Sequence, residues 1–281
     1  MPSLSSFSLF AEAGLPMAAP VLFKLWFIPV TNSMVLGLMV TLLLIFFAQL
    51  ATRDIQRVPA GLQNLWEWVI ESLGGLLESI LGRELMRKTF WYFATVFIFI
   101  LACNILSLFP GVGTVGWGHN DEHGHFEMVK PLFRGANADV NMTMAMALSF
   151  FLMWLIWSIQ SNGIGGFLHH IFGSKAALPG VLGVLMIFIF FAVGVLEVIS
   201  IAVRPVALTF RLYGNIYGGE AMVHAIEHIA GNFAFIALVP VYLFELMVAL
   251  VQALVFCLLT AVFTGMMCKH EEGHGNTGGH H

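Results

Sequence analysis

The chain has 281 residues, 59% hydrophobic and only 10% charged, with a mean hydropathy of +0.88 and a formal net charge of −4. Soluble domains carry about 25% charged residues, so the composition excludes a soluble globular protein. The small negative charge also gives no footing to nucleic-acid binding. Alternation of the membrane-barrel kind is absent, and the apolar runs exceed barrel strands in length. What remains is an all-α integral membrane protein that satisfies its backbone within helices.

In chain order, residues 1–30 read as an extramembrane tail. They include Glu12 and lack both the basic start of a secretory signal and the arginines of an organellar presequence. A membrane domain is expected over 31–268. Its first span is predicted at about 33–50, closed by Thr52-Arg53-Asp54. Over 59–88, Leu62, Leu65, Val69, Leu73, Leu76 and Ile80 recur at helical spacing with Gln63, Glu67, Glu71 and Glu78 between them. That pattern predicts an amphipathic helix on the membrane surface. The second span, about 90–109, ends at Pro110 and contains Asn104.

Residues 111–142 read as a solvated polar loop. Its His119, Asp121, Glu122, His123 and His125 match no zinc spacing, so no metal is expected there. The third span is predicted at about 142–159. A Gln160-Ser161-Asn162 and glycine loop follows, carrying His169, His170 and Lys175. The scattered Cys103, Cys257 and Cys268 form neither a disulfide framework nor a metal motif. Residues 269–281 form a His-rich tail of low complexity, with no role assigned.

Two stretches are too long for upright crossings. The first, 180–230, would be about 75 Å long as a single helix, more than twice the hydrocarbon thickness. It must tilt strongly, or break at Pro205 or at Gly218-Gly219. The second, 233–268, is also over-long. The expected architecture is thus about five transmembrane helices plus one surface helix, with the last two forming a long, steeply tilted hairpin. Arg53, Arg57, Arg83, Arg87 and Lys88 outnumber the bases of the later loops, which hold Lys130, Arg134 and Lys175. The positive-inside rule then places 51–89 in the cytoplasm, the N-terminus outside and the C-terminus inside.

Glu197–Glu220, EVISIAVRPVALTFRLYGNIYGGE, concentrates charge inside apolar sequence. Ionisable residues at membrane depth are costly and mark functional sites by default. Glu197, Arg204 and Arg211 are seven apart and share a helical face, which Asn215 extends. Glu220 falls nearly opposite Arg211. The alternative for the arginines is snorkelling to the headgroups, which suits Arg204 beside Pro205 better than Arg211. Further on, Glu245 and Gln252 are also seven apart.

Arg211-Leu212-Tyr213-Gly214-Asn215-Ile216-Tyr217-Gly218-Gly219-Glu220 closely resembles the signature of subunit a of the F-type rotary ATP synthase. Asn104-Ile105-Leu106-Ser107-Leu108-Phe109-Pro110-Gly111 and Ala138-Asp139-Val140-Asn141 resemble two further family elements. The resemblance covers roughly residues 90–268. It implies a bacterial plasma-membrane stator subunit that forms two offset proton half-channels against a rotating ring of c subunits. Further partners would be the peripheral-stalk b subunits, the rest of the synthase and the lipid bilayer. No cofactor is implied. Arg211, Asn215, Glu220, His224, Glu245 and Gln252 would serve proton translocation, as would Glu197, Asp139 and Asn141. Arg211, Gly214, Gly218 and Gly219 would face the ring. Many relatives pair a Glu and a His where this chain has Glu220 and Glu245, and His224 is a candidate replacement. The alternative for Asp139 is an acid favoured at a helix N-terminus by the macrodipole.

Two rival readings are a self-contained ion or solute transporter and a structural scaffold. The first predicts an internal repeat, and none is visible between the halves. Absence of a GxxxxGK[ST] loop disfavours nucleotide hydrolysis by this chain, so the chain is expected to be non-catalytic.

Overall fold

A computed structural model describes residues 19–26, 28–109, 112, 115–120, 126–172 and 181–268. The tail 269–281, Lys175, Pro110 and the loop residues Asp121, Glu122, His123 and His125 lie outside the described residues. Among the described residues the chain is all-α apart from two short hairpins. Strands β1 (Val21–Leu25) and β2 (Ile28–Thr31) pair antiparallel, as do β3 (Gly116–Asn120) and β4 (Phe126–Pro131).

The helices are α1 (Asn32–Thr52), α2 (Leu62–Leu81), α3 (Arg83–Ser107), α4 (Val140–Phe172), α5 (Val181–Ala230) and α6 (Ala234–Cys268). Five of them, all but α2, are long and apolar enough to cross a membrane. The protein is therefore an all-α multi-pass membrane protein.

Two boundaries differ from the sequence expectation. The stretch 59–88 is not one helix: α2 ends at Leu81, and Gly82, at φ 76°, separates it from α3. An L-residue with a side chain is strained at that φ. The third span is interrupted close to its expected end: Gly163, at φ 67° and ψ 168°, is non-helical and divides α4 into two helical pieces, and His169 lies in the second piece rather than in a loop. Of the two alternatives for the central stretch, a tilted single helix or a break, the chain has the single helix: α5 passes Pro205, Gly218 and Gly219 without ending, over 50 residues. A 3₁₀ turn, Gly231–Phe233, then leads into α6.

The chain divides into two compact units, each containing parts of several helices. One unit comprises 65–95, 144–209 and 256–281. In it, Leu73, Leu77 and Leu81 of α2 are buried. Gly74 lies against Met86 and the Phe90 ring, so a small residue admits the next helix closely. Trp157 packs against the Tyr92 and Phe93 rings at centroid distances of 5.7 and 5.8 Å. Polar side chains join its helices: Tyr92 and Ser149 hydroxyls are 2.9 Å apart, and Asn162 donates to the Met267 carbonyl at 2.9 Å. Such bonds are the usual glue between helices in lipid, where apolar packing alone gains little over contact with lipid.

The other unit comprises 1–64, 96–143 and 210–255. Val40, Cys103 and Ala136 form its core, with Leu44, Phe99, Ala102 and Leu106 around them. Here the sequence expectation needs a correction. The last part of the 111–142 loop is not solvated: Arg134 to Asp139 are all buried. Backbone taken out of water must find partners. Part of the answer is the 3₁₀ turn Ala136–Ala138, where the Ala138 amide donates to the Gly135 carbonyl at 3.0 Å.

Candidate functional site

The α5 segment in the second unit has two contrasting faces. Arg211, Gly214, Asn215 and Gly218 are exposed in this chain, and Leu212, Tyr213, Ile216 and Gly219 are buried. The spacing of three and four puts the exposed set in one strip. A Cβ added at Gly214 or Gly218 would meet nothing within 4 Å. Among the described residues, no ion pair involves Arg211. The strip therefore presents a fixed positive charge flanked by two residues without side chains, since a guanidinium does not give up its proton in proteins.

The edge of that strip is tied to α6. Asn215 Nδ2 donates to Gln252 Oε1 at 2.6 Å, and Gln252 is buried. One turn on, the backbone of Gly219 lies directly against the Glu245 carboxylate, where a Cβ would overlap it. Passing from 215 to 219 on α5 thus runs from 252 back to 245 on α6. The two helices are antiparallel neighbours, as a short connection between long helices favours. Gly219 consequently turns inward, unlike Gly214 and Gly218.

Glu220 is held on a different side. The Arg134 guanidinium Nε lies 3.6 Å from its Oε2. The Gly135 amide donates a backbone hydrogen bond to the same carboxylate. A Cβ at Gly135 would sit 2.9 Å from Glu220 Oε1 and 3.2 Å from Ser107 Cβ, so only glycine fits without displacement. Arg134 is 4% exposed, which in a membrane protein demands a carboxylate close by. Sequence reading missed this residue by counting it among loop charges.

Asp139 closes a separate cluster. Its Oδ1 accepts from the Asn141 amide at 2.9 Å, which caps the start of α4. Its Oδ2 accepts from Ser33 Oγ at 2.7 Å and from Thr31 Oγ1 at 3.5 Å. Both oxygens are engaged, and the acid joins the start of α1 to the start of α4. Asn141 itself is exposed. Nearby, Asn137 Nδ2 donates to Asn104 Oδ1 at 2.5 Å, and Asn104 Nδ2 donates to the Ala249 carbonyl at 3.3 Å. Thr31, Ser33 and Asn137 carried no sequence signal, because isolated hydroxyls and amides are common at helix starts.

His224 is exposed, with Nδ1 3.8 Å from Glu227 on the same helix. In the first unit, the Arg204 guanidinium stacks 4.5 Å from the Phe263 centroid, and Glu197 lies close enough to act on it electrostatically. That is a cation–π contact of the desolvated kind. Among the described residues there is no group of three or more His, Cys, Asp or Glu placed to hold a metal ion.

Comparison with known proteins finds relatives over most of the chain. The family model described as ATP synthase A chain matches residues 34–265. The chain is 30% identical over 242 residues to a protein named ATP synthase subunit a from Moorella thermoacetica, covering 86% of this chain and 93% of the relative. It is 30% identical over 258 residues to a protein of that name from Protochlamydia amoebophila, covering 87% and 83%. A third such protein, from Campylobacter fetus subsp. fetus, is 29% identical over 237 residues, covering 84% and 89%.

Proposed function

The chain belongs to the ATP synthase A chain family, and from that premise we propose that it forms the stator side of a proton path working against a rotating ring of c subunits. The observation that carries this reading is the exposed strip of Arg211, Gly214 and Gly218 on an apolar helix. An arginine directed out of such a helix needs an anionic partner in the membrane. Glycines beside it allow another helix to approach closely.

The proposed mechanism follows from the cost of charge in lipid. A ring carboxyl group crosses lipid readily only when neutral. Two half-paths, offset from each other, load and unload it. Arg211 lies between them, attracts an arriving carboxylate and favours its ionised form. Because the guanidinium keeps its proton, it also blocks a direct leak from one half-path to the other. Asn215 and Gln252, bonded to each other, fix the α5–α6 spacing beside Arg211. Glu220 and Glu245, on either side of the Gly219 backbone, are the proposed lining of one half-path, with His224 nearer its exposed end. Glu197 and Asn141 are proposed for the other. Asp139, with both oxygens taken, we assign to holding α1 and α4 together. Nucleotide chemistry belongs to other subunits, the b subunits anchor the stator, and the C-terminus is cytoplasmic in a bacterial plasma membrane.

The test is ATP-driven proton pumping in inverted vesicles, wild type against Arg211→Ala, with assembly of the complex checked in both. Loss of pumping in an intact complex is the expected result. Normal pumping by the variant would return Arg211 to a snorkelling role.

A further inference from the structure

We propose that Arg134 is a positioning residue for proton transfer, acting as the fixed counter-ion of the Glu220–Glu245 carboxylate pair; this rests on the proton-path reading above. Four observations on different elements converge on it. Arg134 is 4% exposed, and its Nε lies 3.6 Å from Glu220 Oε2. The next residue donates its amide to the same carboxylate and has no room for a side chain, because Glu220 and Ser107 fill the space. The segment carrying both residues is buried through Asp139 and pinned by that acid to Ser33. Finally, Glu245 is buried against Gly219, the residue just before Glu220.

Among the described residues, the charges acting on Glu220 are Arg134 from the buried loop and Glu245 from α6. Tyr213, on the same helix, lies within electrostatic reach of Glu220, Arg134 and Asp139. Two carboxylates close together resist joint ionisation. A guanidinium that cannot lose its proton offsets one of them permanently. One acid of the pair is thereby free to gain or lose a proton while the other stays charged. The proton passes between water and a carboxyl oxygen, and no other reactant is consumed. Gly135 sets the distance, because its amide fixes the carboxylate from the loop side.

The experiment uses the assembled synthase in inverted vesicles, reading ATP-driven pumping and the amount of complex. Arg134→Gln is expected to slow pumping about tenfold, the lower end of what a neighbouring opposite charge does to a proton equilibrium. Arg134→Lys, which keeps the charge, should recover most of the rate. The double variant Arg134→Gln with Glu220→Gln should pump like Glu220→Gln alone, since coupled residues are non-additive. Multiplicative losses, or a lysine variant no better than glutamine, would overturn the proposal. If Arg134→Gln fails to assemble, the double variant decides by quantity: recovered complex supports the pair, and continued failure overturns it. Arg211→Ala runs alongside. Normal pumping there would remove the underlying reading, whereas its loss beside a fully active Arg134→Gln would remove only this one.

Discussion

Asn215 and Gln252 meet at 2.6 Å across α5 and α6, four residues beyond Arg211. Amide pairs of this kind in lipid contribute modestly, about 0.6 kcal/mol on average and up to about 1.7 kcal/mol. Gln252→Leu should therefore leave the protein inserted while lowering its thermal stability in detergent by an amount on that scale. Adding Asn215→Leu should cost little more. Equal, additive losses in that mutant cycle would show that the two side chains do not depend on each other.

Gly219→Ala tests the inward face. The added methyl group falls on the Glu245 carboxylate, the far end of a flexible side chain, so the helices stay and the acid moves. Proton transfer depends on hydrogen-bond reach, and a shift of about 1 Å can cost up to 10²-fold. The expectation is a normal quantity of complex with pumping reduced about tenfold or more. Unchanged pumping would remove Glu245 from the path.

Gly214→Leu and Gly218→Leu test the outward face. Each side chain would enter open space in this chain. Leucine is also the better helix former by up to about 1 kcal/mol, so the isolated subunit should be as stable or slightly more so. Co-purification with the ring should nonetheless fail. Retained ring binding by both variants would place the ring elsewhere.

Ser33→Ala tests the Asp139 cluster. It removes the 2.7 Å bond and leaves Oδ2 with the 3.5 Å contact to Thr31 alone. Hydrogen bonds to charged groups are worth about 1.5–3 kcal/mol. Thermal unfolding in detergent should register a loss of that size, with pumping per assembled complex unchanged.

Much of this was legible in the residues. The apolar runs reveal the crossing helices, because lipid leaves the backbone few alternatives. The motif around Arg211 points to the proposed site. Helical period also separates Arg211 from Glu220, although not Gly219 from Gly218: one residue is about 100° of turn, and which side a neighbour occupies is decided by packing. Arg134 was illegible for a related reason. It precedes Glu220 by 86 positions and sits in a polar segment buried against Ser107 of α3 and Glu220 of α5. The β1–β2 hairpin was hidden in an expected tail. Its turn puts Trp26 at φ 57°, a conformation that turn-favouring sequence does not announce for tryptophan. Gly82 and Gly163 both interrupt helix at positive φ, and both are followed directly by further helix, which a glycine in sequence does not announce.

Within one compact unit α5 runs unbroken from Phe210 to Ala230, and over that stretch it behaves like a camshaft. Every side chain along the stretch has a fixed angular phase. Inserting a single alanine after Tyr213 would rotate Asn215 and Gly219 by about 100° relative to Arg211. Inserting seven residues would restore the angle to within about 20°, but would slide the pattern along the axis by about 10 Å. Either insertion would part Asn215 from Gln252 and Gly219 from the Glu245 carboxylate on α6. Length and angle are thus locked together in this stretch.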